Sequence, residues 1–442
     1  MLGDVQGART VVMGLGLFGG GVAVARHLAQ LGADVLVTDL REASELASSL
    51  EQLQEHINAG RIETCLGRHR IEDFTNAQVV IVNPGVPHPW RNPFLEAARV
   101  SGARLLSEMR IAIGNTPAQH VIGITGSQGK STTTAMVHHL LCSLHPELTP
   151  RIGGNIGGSL LEDPPENDAS LVLEFSSFML HWMATDAIAE SDRFTPGTAL
   201  ITNLSPNHLD WHETFEHYAA CKNAIHASTT SCAQPRLVET NPRIHEAIDS
   251  ALHLTIPGQH NIDNAHMAVH TALTHLQVRG VLEEATPDHA AEFASRLNDF
   301  NGLPHRLHRL GIFGGIECID DSKSTTPEST LLAIEAFDDP KRTHLLAGGY
   351  DKGSDLSPIA RLADTLGGLY GIGATGSAIA SNGGFNCTTI EDAVKAAKPR
   401  MQPGDILLLS PGCASWDQFA NYEARGREFD SVVRRYLSTP NT

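Results

Sequence analysis

The chain has no hydrophobic run long enough to cross a bilayer, no basic-then-apolar leader, no internal repeat and no low-complexity tract. These absences argue against a membrane-spanning protein, and we expect a protein of the cytoplasm with no membrane partner. Basic residues are also few, with 32 Lys and Arg against 50 Asp and Glu and a net charge of −18. A nucleic-acid partner is therefore not expected, and an anionic ligand must be held by local cations and helix ends.

The cysteines form no C-x-x-C pair, although there are seven of them: Cys65, Cys142, Cys221, Cys232, Cys318, Cys387 and Cys413. This odd, scattered set indicates a reducing compartment and argues against a disulfide framework or a structural zinc site. Hydrophobic residues make up 41% of the 442 positions, which is enough for sizeable cores. The length suggests roughly three domains.

The most informative stretch covers residues 121–132 and reads VIGITGSQGKST. An apolar strand is followed by a glycine turn, and Lys130 and Ser131 open a predicted helix. Such a loop brings backbone N–H groups, a helix N-terminus and a lysine to the phosphates of a nucleotide, while a hydroxyl can bind Mg²⁺. Ile124 stands where the strict phosphate-loop pattern has its first glycine, so the motif is a variant. The alternative is an ordinary glycine turn.

A second glycine-rich turn, G-L-G-L-F-G from Gly14 to Gly19, has the form of a dinucleotide-binding fingerprint. Asp39 follows about twenty residues later, where the acid that binds a ribose belongs. Taken alone, this pattern predicts NAD or FAD, yet such a turn can hold any nucleotide diphosphate. An NAD(P)-dependent oxidoreductase is therefore one alternative, although it leaves the phosphate loop unexplained.

Two segments of the middle third end in side chains suited to magnesium. Glu174 lies at the end of the run LVLEF, and His208 lies in the segment 202–210, which follows another predicted strand. Because parallel strands end in the same crevice as the phosphate loop, a carboxylate, a histidine and a hydroxyl should surround one metal. Glu174 could instead cap a helix or pair with a base. The spacing His208-x-Asp210-x-His212 could also suggest zinc, but no third ligand at a familiar spacing supports it.

Strand-like apolar runs alternate with helical patterns, which predicts an α/β fold. We expect a Rossmann-like domain over residues 1–107, a central ATPase-type α/β sheet over 108–302 and a Rossmann-like domain over 303–442. A helix predicted to start near Glu216 carries Lys222, which taken alone indicates a surface lysine. The predicted strands are 10–13, 33–38, 77–82, 121–124, 171–175, 199–202, 317–319, 344–346, 369–372 and 406–409.

Twelve short motifs together resemble the Mur ligase superfamily, the ATP-dependent amide ligases of peptidoglycan assembly. Each is weak alone, but they occur in register over nearly the whole chain. Within the superfamily the chain most resembles the MurD type, which adds D-glutamate to UDP-N-acetylmuramoyl-L-alanine. In chain order the motifs are GLGLFG at 14, NPGV at 83, TGSQGKST at 125, GGNIG at 153, LEFSSF at 173, NHLD at 207, YAACK at 218, GQHNIDNA at 258, GLPHR at 302, DDSKST at 320, GGYDKG at 348 and LSPGCASWDQF at 409.

The resemblance implies three groups of site residues. The first domain would bind the UDP of the substrate rather than NAD, through Gly14, Leu15, Gly16, Phe18, Asp39, Arg41, Asn83 and Gly85. ATP would be bound by Gly126, Ser127, Gly129, Lys130, Ser131, Thr132, Asn155, Asn264, Arg306 and Asp321. Mg²⁺ would be bound by Ser131, Glu174, His208 and a carbamylated Lys222. The catalytic set would consist of Lys130, Glu174, His208 and Lys222. The incoming amino acid would meet Lys323, Thr325, Lys352, Ser415 and Tyr422.

The implied reaction begins when the substrate carboxylate attacks the γ-phosphate of ATP to give an acyl phosphate. The amine of glutamate then displaces phosphate, and closure of three domains would position the substrates and exclude water. Trp416 and Tyr422 are bulkier than expected near the glutamate pocket, so an L-glutamate-adding relative stays open. A different Mur step, folylpolyglutamate synthase and a non-catalytic nucleotide-binding scaffold stay open as well. We expect a monomer.

Overall fold

The computed structural model describes residues 5–16, 19–114, 116–226, 236–237, 242–337, 339–350 and 353–438. They belong to two compact units: Met1–Leu252 with Asn264–Leu297, and His253–Asp263 with Asn298–Thr442. The first unit contains two sheets and the second contains one, so the predicted α/β class with three sheet-based domains is confirmed. The domain boundaries at 107 and 302 stay a prediction. Within the described ranges, no helix has both the length and the apolar character that a bilayer crossing requires.

The N-terminal sheet is parallel, with the strand order β3-β2-β1-β4-β5. Its three inner strands, β2, β1 and β4, are almost wholly buried, as expected for a parallel sheet that is covered on both faces. The strands are β1 Arg9–Met13, β2 Asp34–Asp39, β3 Ile62–Leu66, β4 Val79–Val82 and β5 Arg104–Leu106. The helices are α1 Gly20–Gln30, α2 Ala47–Glu51, α3 Gln54–Asn58, α4 Ile71–Thr75, α5 Pro93–Val100 and α6 Glu108–Ile113.

The central sheet is also parallel, in the order β10-β9-β6-β8-β7, so the strand before the phosphate loop lies in the middle. The carboxyl ends of its neighbours therefore flank the loop. The strands are β6 Val121–Thr125, β7 Arg151–Gly154, β8 Leu171–Glu174, β9 Thr198–Ile201 and β10 Arg236–Leu237. The helices are α7 Lys130–Leu144, α8 Ser177–Ala184, α9 Leu209–His212, α10 Phe215–Asn223, α11 Pro242–Ala251, α12 Gln259–Val278 and α13 Pro287–Arg296.

The C-terminal sheet has the order β11-β12-β16-β13-β14-β15, and its edge strand β11 runs antiparallel to β12. Two hydrophobic clusters of buried residues lie on it. The strands are β11 His308–Phe313, β12 Ile316–Asp320, β13 Thr343–Gly348, β14 Gly368–Ile372, β15 Phe385–Asn386 and β16 Ile406–Leu409. The helices are α14 Pro327–Ile334, α15 Ser357–Ala360, α16 Gly376–Ile379, α17 Ile390–Ala397 and α18 Tyr422–Leu437.

Candidate active site

The phosphate loop joins β6 to α7 and requires glycine at two positions. Gly126 has φ 146° and Gly129 has φ 78°, and residues other than glycine rarely adopt these backbone conformations. A Cβ on Gly126 would lie 1.9 Å from Thr202 Oγ1, and a Cβ on Gly129 would lie 2.4 Å from Asn264 Oδ1. The loop is thus shaped by β9 on one side and by α12 on the other. Asn264, which was expected near adenine, packs directly on the loop.

The end of the loop is cationic. Gly129 is the N-cap of α7 and gives no side-chain cap, so the helix N-terminus can receive an anion. Lys130 Nζ donates to Ser127 O at 3.0 Å and lies back across the loop. The Ser127 hydroxyl is 2.8 Å from Tyr218 Oη, which ties the loop to α10. Ser131 and Thr132 are buried in the first turn of α7.

Glu174 ends β8, beside the strand that carries the loop. Its side chain is 1% exposed, and Oε1 accepts a hydrogen bond from Asn155 Nδ2 at 2.9 Å. Oε2 is buried and has no hydrogen-bond partner among the described residues. Ser176 caps α8, so the helix-capping alternative for Glu174 is wrong. An unpartnered buried carboxylate oxygen is costly, and it is a donor that Mg²⁺ accepts.

Lys222 is buried on α10, with 2% of the residue exposed, so the surface-lysine interpretation is wrong. Its Nζ donates to Thr125 Oγ1 at 3.1 Å, and that hydroxyl donates in turn to Phe175 O at 2.6 Å. Burial, reinforced by the charge of Lys130, lowers the pKa of Lys222 to about 7, while Glu174 opposes the shift. The amine is therefore largely neutral just above pH 7.

His208 immediately precedes α9 and holds a left-handed backbone with φ 52°, which is uncommon for histidine. Its ring packs edge-on against Phe178, with the ring centroids 5.0 Å apart. The pKa of His208 is lowered by desolvation and by the charges of Lys130 and Lys222, and Asp210 opposes this. The structure therefore brings His208 into the same electrostatic environment as both lysines.

His212 does not join His208 in a zinc site. Its Nε2 is 2.8 Å from Ser177 Oγ, and its Nδ1 is 3.1 Å from His217 Nδ1. The residues described here contain two groups of metal-type side chains, and neither includes His208 or His212. The zinc interpretation of the His208-x-Asp210-x-His212 spacing is therefore not supported.

The glycine turn after β1 is closed by two polar side chains. Asp39, at the end of β2, accepts from Gly16 N at 3.2 Å and from Arg41 N at 2.9 Å. Asn83, which follows β4, donates to Gly14 O at 3.2 Å and accepts from Gly85 N at 2.9 Å. These residues meet at the carboxyl ends of three adjacent strands, where open α/β sheets bind ligands.

Two residues expected to bind UDP at this turn, Leu15 and Phe18, offer it no described side chain. Leu15 is fully buried in the hydrophobic core, so it can offer a ligand only its backbone. Phe18 lies outside the described residues. Gly14 has φ 89°, and a Cβ there would lie 2.9 Å from Asn83 Cβ, so the turn and the Asn83 side chain fit together only with glycine.

Another polar cluster follows β12 in the second unit. Asp321 accepts from Ser410 Oγ at 2.7 Å and from Leu307 N at 3.2 Å. Burial raises its pKa to about 6, although Arg306 and these hydrogen bonds act against the shift. Arg306 Nε is buried and has no hydrogen-bond partner in the described ranges. Arg306 and Asp321 are thus close, as their expected joint role requires.

The residues expected to meet the amino acid lie on neighbouring loops of the same unit. Lys323 Nζ is 5.6 Å from the centre of the Tyr422 ring, and burial raises the pKa of Tyr422 to about 12. Ser415 is buried and Thr325 is half-buried. Lys352 lies outside the described residues.

Arg425 fastens these loops together, and the sequence did not predict it. It is 1% exposed and donates to Ser322 Oγ at 2.9 Å, Ser322 O at 2.8 Å, Cys413 O at 3.0 Å and Ala414 O at 3.1 Å. The Ser322 hydroxyl donates to Tyr422 O at 2.9 Å. A single buried guanidinium thus holds the loop of Lys323 against the loop of Ser415. An arginine in the first turn of a helix gives no sequence signal for this role.

Comparison with known proteins decides which kind of nucleotide-binding protein this chain is. The Mur ligase MurD-like N-terminal domain model matches residues 8–107, and the Mur ligase middle domain model matches residues 124–238. The UDP-N-acetylmuramoylalanine–D-glutamate ligase of Koribacter versatilis is 31% identical over 98% of both chains. The protein of that name from Novosphingobium aromaticivorans is 34% identical, over 96% of this chain and 94% of its own. The chain belongs to this family of Mur ligases.

The fold of this Mur ligase agrees with that assignment. A solved UDP-N-acetylmuramate–alanine ligase from Thermotoga maritima superposes with a TM-score of 0.52 at 18% identity, covering 98% of this chain and 99% of its own. At that identity the likeness supports the fold alone. The membership shows an ADP-forming, ATP-dependent ligase, so the oxidoreductase alternative for the first glycine turn is wrong.

Proposed function

We propose that this Mur ligase joins D-glutamate to the carboxyl group of UDP-N-acetylmuramoyl-L-alanine in peptidoglycan precursor synthesis, with ATP cleaved to ADP and phosphate. Two relatives, which are 31% and 34% identical along nearly their whole length, are named UDP-N-acetylmuramoylalanine–D-glutamate ligase. One observation carries the chemistry: Lys130, Glu174 and Lys222 converge where the central sheet ends. They bring a loop ammonium, an unpartnered buried carboxylate oxygen and an amine with a pKa of about 7.

Mg²⁺ fits the side chains that are present. Glu174 Oε2 is a buried oxygen without a hydrogen-bond partner among the described residues, and a hard divalent cation would satisfy it. Ser131, Glu174, His208 and Lys222 would hold the metal ions. The metal, when bound, neutralises charge that develops on the transferred phosphoryl group. Lys130 would act on the same charge, while Asn155 orients the Glu174 carboxylate through Oε1.

Lys222 is proposed to act as a carbamate. Its neutral amine would attack CO₂ to form an N–C bond, and the released proton would leave a carbamate anion that can bind Mg²⁺. An unperturbed lysine, with a pKa of about 10.4, is less than one per cent neutral at pH 7. Burial lowers the pKa of Lys222 to about 7, which removes that obstacle. The hydrogen bond to Thr125 keeps Nζ in place.

The substrate roles follow the two other clusters. Gly14, Gly16 and the loop of Asn83 and Gly85 are proposed to hold the UDP group, with backbone N–H groups on the diphosphate. In the second unit, Lys323, Thr325, Lys352, Ser415 and Tyr422 are proposed to bind glutamate, whose two carboxylates need cations in an acidic protein. Arg306 and Asp321 are proposed to contact ATP. We further propose a monomeric protein of the cytoplasm.

The test measures phosphate release from ATP and Mg²⁺ with UDP-N-acetylmuramoyl-L-alanine, using each amino acid in turn. D-glutamate should give the highest turnover, and mass spectrometry should show one glutamyl residue added to the UDP-linked substrate. A matched assay with L-glutamate tests handedness, because both enantiomers present the same charges to Lys323 and its neighbours.

Three further outcomes separate the competing functions. Preference for L-glutamate would overturn the choice of enantiomer and leave the ligase chemistry standing. Turnover only with UDP-N-acetylmuramate, or only with a folate acceptor, would assign a different ligase step. Phosphate release in no combination of substrates, with intact ATP binding, would favour a non-catalytic scaffold and contradict the proposal.

A further inference from the structure

A second cluster of chemically reactive side chains lies in the first unit, apart from the side chains assigned to ATP and Mg²⁺. It consists of His181 on α8 and of His217 and Cys221 on α10, and we name it the His–Cys cluster. Each residue offers one ligand atom, and these atoms lie within 4.8 Å of one another. His217 and Cys221 are four residues apart, which places them on one face of the helix. His181 and Cys221 are both buried.

The distances in the His–Cys cluster approach those of a coordination shell. Cys221 Sγ is 3.6 Å from His217 Nε2 and 3.9 Å from His181 Nδ1. Zinc bonds of about 2.3 Å to sulfur and 2.0–2.1 Å to nitrogen, at a tetrahedral angle, place ligand sulfur and nitrogen ~3.5 Å apart. A metal ion therefore requires only small side-chain movements, and it leaves one tetrahedral position for a water.

The surroundings of His217 already have the form of a metal site. A zinc-bound histidine usually donates its other ring N–H to a neighbour, which fixes the ring. Here His217 Nδ1 is 3.1 Å from His212 Nδ1, and His212 Nε2 is 2.8 Å from Ser177 Oγ. If His217 Nε2 bound a metal, the His217 Nδ1–H would donate to His212 Nδ1, and the His212 Nε2–H would donate to Ser177 Oγ.

The apolar wall and an unsatisfied ring complete the case. The Trp90 ring centre is 4.5 Å from that of His217, and the Trp211 ring centre is 5.4 Å from that of His181. His181 Nε2 is buried without a hydrogen-bond partner in the described part of the chain, and its Nδ1 has only the long contact to the thiol. The ring nitrogen that would bind a metal is Nδ1, which faces the Cys221 sulfur, and metal binding would replace that long contact with a bond. The ring proton would then be on Nε2.

We propose that His181, His217 and Cys221 form a site for a divalent transition metal of the zinc class. Two imidazoles and a thiolate suit such an ion and do not suit Mg²⁺, which prefers oxygen ligands. On binding, the Cys221 S–H bond breaks, a sulfur–metal bond forms and the proton leaves to solvent. The ion clamps α8 to α10 one residue before Lys222, so it braces the helix that carries that lysine.

The test uses the full chain with excess Mg²⁺, a non-thiol reductant and Co²⁺ as a spectroscopic probe. We expect one Co²⁺ to bind with tetrahedral visible bands and a thiolate-to-cobalt charge-transfer band in the near ultraviolet, and Zn²⁺ to displace it. Cys221→Ser should remove the charge-transfer band. His217→Gln and His181→Gln should each weaken Co²⁺ binding at least ~10-fold. Zn²⁺ should also raise the melting temperature of the wild type and not that of Cys221→Ser.

Cys142→Ser is the matched control. Cys142 is exposed on α7, and His138 lies four residues before it. The distance between His138 Nε2 and Cys142 Sγ is 3.3 Å. This variant should keep the charge-transfer band. Loss of the band in Cys142→Ser, with retention in Cys221→Ser, would overturn the proposal. So would tetrahedral or octahedral bands without a thiolate band, which would place the ion at oxygen and nitrogen donors such as His245, Asp249 and His266.

A measurement on the wild type keeps the proposal testable if a variant does not fold. X-ray absorption of the zinc-loaded chain should show one sulfur and two imidazole nitrogens around the metal. A shell of nitrogen and oxygen alone, or no bound zinc after buffer exchange, contradicts the site. None of these readouts depends on catalytic activity, so the result is independent of the proposed ligase reaction.

Discussion

Lys130 is the one full cation that the phosphate loop itself supplies, and its Nζ lies over that loop. Removal of a single group that stabilises transition-state charge typically costs 10²–10³ in kcat. Lys130→Ala should therefore lower kcat for phosphate release at least ~100-fold. The control is Lys341→Ala, which changes an exposed lysine of the second unit. Turnover near that of the wild type in Lys130→Ala would contradict the assignment of the ATP site.

Lys222 should be indispensable through its carbamate rather than through its ammonium. Lys222→Ala should lose nearly all ligase activity and regain part of it with acetate, because a small carboxylate can enter the space of the missing carbamate. Lys222→Arg keeps a positive charge and should not be rescued. In the wild type, ¹³C-labelled bicarbonate should give a carbamate carbon signal that Lys222→Ala lacks. Full activity of the alanine variant without acetate would refute the role.

The sequence predicts the role of a residue where a motif fixes the position of its side chain. It does not predict a role that depends on burial. Lys130 and Glu174 follow from spacing, because a loop and a strand end fix where their side chains point. Lys222 alone indicated a surface lysine, since a helix with little amphipathic character does not reveal which face is inside. Leu15 lies in the glycine turn, yet its side chain belongs to the core. Burial depends on which helices pack together, and that is not a local property.

Among the elements, the long loops after β12 and β16 depend on one side chain of α18. Arg425 donates to Ser322, Cys413 and Ala414, and a lysine cannot make these contacts simultaneously. Hydrogen bonds from charged groups contribute about 1.5–3 kcal/mol each, and 1.4 kcal/mol is tenfold in affinity. Arg425→Lys should thus raise the KM for glutamate at least ~10-fold, with the KM for ATP changed less than about twofold.

The control for Arg425→Lys is Arg434→Lys on the same helix, where the guanidinium is exposed and pairs with Asp430 at 2.7 Å. Surface pairs of this kind contribute about 0–1 kcal/mol, so its kinetics and melting temperature should match the wild type. Equal increases of both KM values in Arg425→Lys would indicate general loss of structure. Unchanged kinetics would show that the two loops hold their positions without Arg425.

Central strands were predictable and edge strands were not. All ten predicted strands are present, because buried parallel strands read as continuous apolar runs. The missed strands β3, β5, β7, β10, β11 and β15 each lie at the edge of a sheet. In β3 and β11 polar residues interrupt the apolar run, and β10 and β15 have two residues each. Edge strands are half-covered, so their sequences carry less of the signal.

At the scale of the molecule, the first unit contains buried neutral histidines that make it sensitive to acid. Burial lowers the pKa of His181 and His270 to about 4 and that of His212 and His275 to about 3. In the unfolded chain these groups titrate near 6.5. Between pH 6.5 and pH 4 the unfolded state therefore binds more protons than the folded one. The stabilisation is complete above pH 6.5 and is lost as the pH falls below it.

The number of buried histidines determines how steeply the free energy of unfolding of the first unit falls with decreasing pH. Each histidine that titrates only in the unfolded chain contributes about 1.4 kcal/mol per pH unit, so four contribute up to about 5.6 kcal/mol per unit at pH values well below 6.5. In the second unit, burial raises the pKa of Asp321 to about 6, which has the opposite sign and favours the folded state in acid. We therefore expect the first unit to unfold at a higher pH than the second when the chain is acidified.

Tryptophan fluorescence can isolate the first unit, because Trp90, Trp182 and Trp211 lie within it and the remaining tryptophan, Trp416, is exposed in the second unit. In a Trp416→Phe background with a metal chelator, urea unfolding should give a free energy that falls steeply from pH 6.5 to pH 5. Adding His275→Gln should remove about a quarter of that slope, since the fully buried His275 lies between Ser170 and Thr198. His253→Gln, at an exposed position, should leave the slope unchanged. If the slope is the same in the Trp416→Phe background and in both histidine variants, carboxylates rather than buried histidines control the acid transition.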